Sequence, residues 1–358
     1  MTTLKTSVGS TPRSARPDPQ SARGNEPVRS LLASVGSQYA RILSVGSALP
    51  SRVLDNEYMV QFIDSSDEWI RQRTGIHERR WLAEGESLES LCLEAARQAI
   101  ERAGLQPTDV DALLLSTVSH LHQTPALAPQ LADKLGMVDA VAYDISAACA
   151  GFCYGLAQAE ALVRAGSAKH VLVIGAETLS KMTDLHDRGT AFLFSDGAGA
   201  AIVGPSEVNG IGPVVWGSDG SQAGAIVQTS DWEAAVADSQ WPVITMDGRA
   251  VFKWATSYIA TAASRCLDES GITPDELDVF IPHQANNRIT DTLLRYLKLP
   301  EKVVVARTIT GLGNNSAASV PIAMDSLLTS GEAKSGQTAL LIGFGAGLVY
   351  AGQVVTLP

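Results

Sequence analysis

The stretch Gly104-Leu-Gln-Pro-Thr-Asp-Val-Asp-Ala-Leu-Leu114 returns in altered form as Gly271-Ile-Thr-Pro-Asp-Glu-Leu-Asp-Val-Phe-Ile281. In both copies a glycine closes a helical pattern, a proline-containing turn follows, and an aspartate leads into a short apolar run. At about the same separation, Ala168-Lys-His-Val-Leu-Val-Ile-Gly175 matches Gly336-Gln-Thr-Ala-Leu-Leu-Ile-Gly343. Similar segments recurring in one order mark an internal repeat. This alignment sets the segment around Cys149 opposite Asn314-Asn-Ser-Ala-Ala-Ser-Val-Pro321. The expectation is two halves of one topology, with functional segments facing each other at the kind of interface where ligand sites form.

Working outward, short apolar runs alternate with helical periodicity. Strands are predicted over Arg41–Ser47, Ala112–Thr117, Val171–Gly175, Ala200–Val203, Val279–Pro282 and Ala339–Gly343. Helices are predicted over Leu88–Ala103, Cys149–Ala165, Val251–Glu269 and Asn287–Leu297. This alternation describes an α/β protein with buried sheets. The expected organisation is a disordered tail over residues 1–38, a first half over 39–208 and a second half over 209–358. The tail is rich in Ser, Pro and Arg, and Asp18 and Glu26 are its only acids. Such a segment cannot bury enough to order itself. An over-long gene start gives the same composition, and so does an organellar transit peptide, although no clear amphipathic helix is present.

Composition narrows the function classes. Of 358 residues, 45% are hydrophobic and 18% charged, which suits a large core. A net charge of -11 argues against general binding to nucleic acid or anionic membranes. No apolar run approaches the roughly 18 residues of a membrane helix. The chain has four cysteines, and Cys92 and Cys266 lie far apart within helical patterns. That is not a secreted disulfide framework, so the reading is a reduced, cytoplasmic chain.

The other two cysteines sit together in Asp144-Ile-Ser-Ala-Ala-Cys-Ala-Gly-Phe-Cys-Tyr-Gly-Leu156. No histidine cluster or Cys-x-x-Cys pair accompanies them, so no metal site is expected. Cys153 reads as a small packed hydrophobe. Cys149 admits two readings, packing or a nucleophile. It stands where an extended run meets a helix, and the free N–H groups and positive helix end there favour a thiolate. Ala147, Ala148, Ala150 and Gly151 leave room for a substrate.

Further along, Pro282-His283-Gln-Ala-Asn-Asn-Arg-Ile289 follows an apolar strand and opens a helix. His283 is thereby placed at a sheet's carboxyl end, where clefts form. His120 and His122 hold the matching place in the first half and read as loop-surface residues. In Gly313-Asn314-Asn-Ser-Ala-Ala-Ser319, an asparagine amide and a neutral histidine suit stabilisation of an enolate oxygen, although a helix cap is the plain role for Asn314. Gly343-Phe-Gly-Ala-Gly347 is not a dinucleotide fingerprint, because the eleven residues after it are largely strand-like. It reads as a tight turn whose N–H groups reach the site.

These motifs together resemble β-ketoacyl-acyl-carrier-protein synthase III, of the thiolase superfamily. The resemblance rests on Cys149 in Ser-Ala-Ala-Cys-Ala-Gly-Phe, His283 in Pro-His-Gln-Ala-Asn, and Asn314 in Gly-Asn-x-Ser-Ala-Ala-Ser. Ser66-Asp-Glu-Trp-Ile-Arg-Gln-Arg-Thr-Gly-Ile76 and Asp187-Arg-Gly-Thr190 support it, and it covers the chain from about Arg41 onward. It implies a five-layered αβαβα thiolase-like fold of two pseudo-repeated halves, usually a homodimer. It implies decarboxylative condensation of an acyl-CoA primer with malonyl-acyl carrier protein, initiating fatty-acid or polyketide synthesis without metal or redox cofactor. Cys149 would accept the acyl group, while His283 and Asn314 hold the malonyl thioester oxygen. The amides of Cys149 and Ala346 would form the oxyanion hole. Trp69 and Arg188 would sandwich the adenine of coenzyme A, Arg73 would meet its phosphates, and Asn286 its pantetheine. Arg288 and Lys253 would receive the acidic carrier protein.

The sequence departs from the family pattern in places. Asn315 replaces a usual threonine, so two adjacent amides compete, and alignment on Ser316-Ala-Ala-Ser-Val-Pro321 favours Asn314. Thr124 stands where some members close the acyl pocket with phenylalanine, which predicts room for a longer or branched primer. The segment 228–245 looks short, which bears on the tunnel mouth. The alternative activity is acyl transfer by the same fold to an alcohol or amine.

Overall fold

The computed structural model describes residues 31, 32 and 34–358. Most of the expected 1–38 tail lies outside the described residues. Its end is placed: the Ser37 N–H donates to the Val163 carbonyl at 3.3 Å.

The chain begins with β1 (Tyr39–Ala48), β2 (Arg52–Asp55), α1 (Asn56–Met59), α2 (Asp67–Thr74), β3 (Glu78–Trp81) and α3 (Leu88–Arg102). It continues through β4 (Ala112–Ser116), α4 (Leu127–Leu135), β5 (Val141–Ile145), α5 (Gly151–Ala165), β6 (Val171–Thr178) and β7 (Asp196–Ser206). Then come β8 (Val215–Ser218), β9 (Ile226–Gln228), α6 (Trp232–Asp238), β10 (Ile244–Met246), α7 (Gly248–Trp254) and α8 (Ala260–Ser270). The rest is β11 (Val279–Pro282), α9 (Asn287–Leu297), β12 (Val304–Val305), α10 (Ile309–Leu312), α11 (Ser319–Ser330), β13 (Thr338–Gly345) and β14 (Val349–Thr356).

Two five-stranded sheets have the same build. The first is ordered β1-β7-β6-β4-β5 and the second β8-β14-β13-β11-β12, read from the matching edge. In each, four strands run one way and the second in the order, β7 or β14, runs against them. The repeat seen in the sequence is therefore a repeat of topology. Its two glycines, Gly104 and Gly271, both adopt left-handed backbone, with φ of 69° and 67°. An L side chain there would strain the turn that ends each helix.

Layering follows from which faces are apolar. The β4 run Ala-Leu-Leu-Leu-Ser is buried at every position, as a parallel strand covered on both faces must be. On one face of the first sheet, Leu91, Ala95 and Ala99 of α3 pack with Leu131 of α4. On its other face α5 and α11 fill a middle layer, where Leu156, Val163, Val320 and Met324 meet strands of both sheets. Beyond the second sheet, α8 and α9 complete the stack through Ala263, Leu267, Ile289 and Leu293. The result is the expected αβαβα order. The helix expected over Val251–Glu269 is interrupted: α7 passes through a π turn, Ala255–Ile259, before α8. Such bulges preserve the helical path while shifting its face.

Candidate active site

The sequence places Cys149 at a strand-to-helix junction, and the structure puts it in a 3-10 turn, Ala148–Ala150, between β5 and α5. The second half builds the same turn, Ser316–Ala318, ahead of α11. Each turn opens with a non-glycine residue in left-handed backbone, Ala148 at φ 43° and Ser316 at φ 49°. Strain of this kind persists where surrounding structure holds it, often at functional sites.

Close approach between the two halves needs missing side chains. A Cβ on Gly343 of β13 would lie 2.8 Å from the Cys149 carbonyl oxygen, and one on Gly175 of β6 would lie 2.2 Å from that of Ala317. Two residues on, a Cβ on Gly345 would meet the Cys149 sulfur at 2.9 Å. The matching position in β6 is Glu177.

Cys149, His283, Asn314 and Ala346 border one cavity of about 750 Å³, so residues from both halves converge there. His283 follows β11, held by its N–H to the Ile342 carbonyl at 2.7 Å. Its Nδ1 lies 2.7 Å from Ser319 Oγ. That oxygen also accepts from the Gln284 N–H at 3.4 Å. A Ser319 hydroxyl donating to Nδ1 leaves the imidazole proton on Nε2; one accepting from Nδ1–H gives the other tautomer. Burial pushes His283 down to about 3, so the ring is neutral.

The adjacent asparagines divide. Asn314 Oδ1 accepts from the Ser316 N–H at 2.9 Å, which leaves its NH₂ for the cavity it borders. Asn315 turns away, donating to the Asp196 carbonyl at 2.9 Å, and does not border the cavity.

Burial pushes Cys149 up to about 12, the Glu177 charge adds to the rise, and a hydrogen bond with Ser316 opposes it. Cys149 is partly exposed to the cavity it borders, and α5 starts at Gly151, two residues on. Cys153 is a packed core residue, as expected, at 1% exposure.

Toward the cavity mouth, α2 carries Trp69 and Arg73. Buried Arg79 donates to Asn56 Oδ1 at 2.5 Å, and Asn56 donates to Asp67 at 2.8 Å and to the Ile76 carbonyl at 2.9 Å. These bonds fix both ends of α2. Arg188 and Arg73 stand 5.3 Å and 5.5 Å from the Trp69 ring. A ring sandwiched between two planes needs two van der Waals gaps, roughly 7 Å. The Trp69–Arg188 pair is therefore closed in this conformation.

Asn286 caps α9 through the Arg288 N–H at 2.9 Å and donates to the Arg73 carbonyl at 3.0 Å. Arg288 lies 5.2 Å over Phe252 at the rim. None of the ion pairs among the described residues engages Arg73, Arg188, Arg249 or Arg288.

Two expected residues lie elsewhere. Thr124 is exposed in the loop after β4 and does not border this chain's cavity. The apolar wall that this chain itself supplies is built by Leu179, Phe192, Ile226, Ile244, Met246 and Leu348. Lys253 is exposed on α7 outside the cavity, whereas Arg249, unanticipated, borders its mouth. The segment 228–245 closes into a hairpin, with Ile244 opposite Gln228, and Trp241 Nε1 donates to the Lys181 carbonyl at 2.8 Å. His120 and His122 lie edge-on at 5.7 Å outside the cavity, as loop residues.

Comparisons with known proteins agree on one family. Residues 143–220 match 3-oxoacyl-[acyl-carrier-protein] synthase III and residues 267–357 match its C-terminal part. The chain is 53% identical over 347 residues to β-ketoacyl-[acyl-carrier-protein] synthase III 1 of Streptomyces avermitilis, covering 90% of this chain and 98% of that one. It is 55% identical over 327 residues to the synthase III of Streptomyces glaucescens, covering 90% and 98%. Among solved structures, the priming β-ketosynthase of the R1128 polyketide pathway superposes with a TM-score of 0.89 at 44% identity, covering 91% and 98%. On the strength of its repeated fold, its converging Cys, His and Asn, and these likenesses, the chain belongs to the β-ketoacyl-acyl-carrier-protein synthase III family, with the thiolase-like fold.

Proposed function

We propose that this chain condenses an acyl-CoA primer with malonyl-acyl carrier protein to a 3-oxoacyl product, starting a fatty-acid or polyketide chain. One observation carries the reading: a thiol from one half, and an imidazole and an amide from the other, border a single cavity. Cys149 attacks the primer thioester and holds the acyl group while coenzyme A leaves. Malonyl-carrier protein follows through the same mouth. Loss of carbon dioxide leaves an enolate oxygen, which His283 Nε2–H and Asn314 Nδ2–H hold as neutral donors. The carbanion attacks the acyl carbon and frees Cys149. Backbone N–H groups of Cys149 and Ala346 serve the tetrahedral intermediates.

Arg73 and Arg188 meet the nucleotide, with Trp69 as stacking surface and Asn286 beside the pantetheine arm. Arg288, Arg249 and Lys253 give an acidic protein a local basic face for its acidic partner. Transfer to an alcohol or amine is disfavoured, because His283 at about 3 is a poor proton acceptor for such a nucleophile. No step calls on a metal or redox group. A homodimer joined along β5, the edge of the first sheet whose Val141 is exposed, suits this reading. Four free cysteines suit a reducing, cytoplasmic setting. The deciding experiment supplies a series of acyl-CoA primers with malonyl-carrier protein and reads carbon dioxide release and product mass. Primer hydrolysis alone, without chain extension, would sink the reading.

A further inference from the structure

A buried carboxyl that the condensation scheme does not use stands beneath the turn that follows Asn314. Glu177, near the end of β6, has no exposed surface. Its Oε2 accepts from Ser119 Oγ at 2.6 Å and from Thr117 Oγ1 at 3.3 Å. The Val118 N–H faces both carboxyl oxygens, at 3.3 and 3.2 Å. Those donors all belong to the segment after β4, in the first half. Oε1 also reaches the second half, where it accepts from Ser316 Oγ at 3.2 Å. The Ser316 N–H in turn donates to Asn314 Oδ1 at 2.9 Å. Carboxyl, hydroxyl and amide are thus joined in series, ending at the cavity that Ser316 and Asn314 border.

We propose that Glu177 is a positioning residue for the Asn314 amide and acts on it through Ser316. The proposal rests on Asn314 holding the enolate oxygen. The Asn314 main chain is fixed independently: its N–H donates to the Leu193 carbonyl, and its own carbonyl accepts from the Ser195 N–H, both at 2.9 Å. What is left to turn is the side chain. While Oδ1 is held by the Ser316 N–H, the NH₂ faces the cavity. An amide turned by half would offer oxygen lone pairs to a developing negative charge and oppose decarboxylation. The bond to Oδ1 lasts only while the Ser316 peptide keeps its orientation, and the anchored hydroxyl keeps it so.

The pseudo-equivalent turn shows that the carboxyl is not needed for the backbone itself. Ala148 takes the same left-handed conformation as Ser316, φ 43° against 49°, without a hydroxyl. The residue that matches Glu177 there is Gly345, whose Cβ position would meet the Cys149 sulfur. That turn has no amide to aim. Hydroxyl and carboxyl occur together only at the turn that does. An ionised carboxyl is also the acceptor the place requires, because it makes every donor around it point inward. A glutamine cannot replace it: the Val118 N–H spans both oxygens, so an NH₂ there meets a donor in either orientation.

The test separates the two chemical steps in the full-length protein, at about pH 8, above the value of about 7 to which burial lifts Glu177. Acylation by acyl-CoA is read by intact mass. Carbon dioxide release from malonyl-carrier protein is read with preformed acyl-enzyme. Glu177→Gln should slow saturated carbon dioxide release by about tenfold or more, while KM and the acylation rate change by less than about threefold. Ser316→Gly suits the left-handed backbone and removes only the hydroxyl, and it should slow carbon dioxide release to a similar extent. Added to Asn314→Ala, either change should cost less than about twofold more, because the amide they position is gone. Unchanged carbon dioxide release in Glu177→Gln, equal slowing of both steps, or losses that multiply with Asn314→Ala, overturns the proposal. If Glu177→Gln fails to fold, Ser316→Gly decides. Release at the wild-type rate then overturns the proposal, and a loss that vanishes in the Asn314→Ala background supports it. A wild-type acyl-enzyme that releases no carbon dioxide sinks the condensation reading instead.

Discussion

In the first half, the 3-10 turn that leads into the central helix carries Cys149. In the second half the same turn carries Ser316, with Asn314 just before it. Both turns are pressed by a glycine of the opposite sheet, Gly343 against the first and Gly175 against the second. Two residues beyond those glycines the symmetry ends. Gly345 lies against the thiol, while Glu177 lies under Ser316. A fold built twice has thus kept its backbone and varied its side chains, with the Cys149 thiol on one turn and the Asn314 amide and Ser316 hydroxyl at the other. Backbone packing restrains both copies alike, while the side chains at the junction are free to differ.

The largest break in this comparison is Cys149→Ala, which should abolish the acyl mass adduct and lower condensation by at least about a thousandfold. Asn314→Ala should leave acylation nearly intact and slow carbon dioxide release by about a hundredfold, measured with the preformed acyl-enzyme. Asn315→Ala sharpens the contrast. It removes the bond to the Asp196 carbonyl and should cost about 1–3 kcal/mol in urea unfolding, with activity per folded molecule kept. Swapped outcomes would reverse the assignment of the two amides. Gly175→Ala should destabilise more than Gly343→Ala, by roughly 1–3 kcal/mol in total, because its Cβ meets a carbonyl oxygen at 2.2 Å rather than 2.8 Å.

The smallest effect is in pH dependence. His283 falls from its ordinary 6.5 to about 3, so the unfolded chain binds the extra proton and stability rises with pH across that window. Glu177 rises from 4.5 to about 7, so its contribution falls with pH between those values. His283→Gln should therefore flatten the acid side of the stability curve, and Glu177→Gln should flatten the neutral side. Parallel curves for both variants would contradict the assigned shifts.

The repeat, and with it both sheets, was legible because strands buried on both faces write continuous apolar runs bounded by turns. Cys149, His283 and Asn314 were legible because each sits at a junction with a distinctive local pattern. Glu177 was not, since a glutamate inside Gly-Ala-Glu-Thr says nothing of the hydroxyls of Thr117, Ser119 and Ser316 gathered around it from two separate segments. Arg249 was missed for a related reason. It stands after a capping aspartate, Asp247, and only the hairpin of β9 and β10 brings it to the mouth.

The closed contact between Arg188 and Trp69 has a consequence for how primers compete. In the proposed reading, an incoming nucleotide must first dislodge the guanidinium that covers the indole, so part of its stacking energy is offset by the self-contact it replaces. Thioesters stripped of the nucleotide, carrying only a short pantetheine mimic, bypass that exchange. Their disadvantage as substrates should then be smaller than the three lost phosphates and base alone imply.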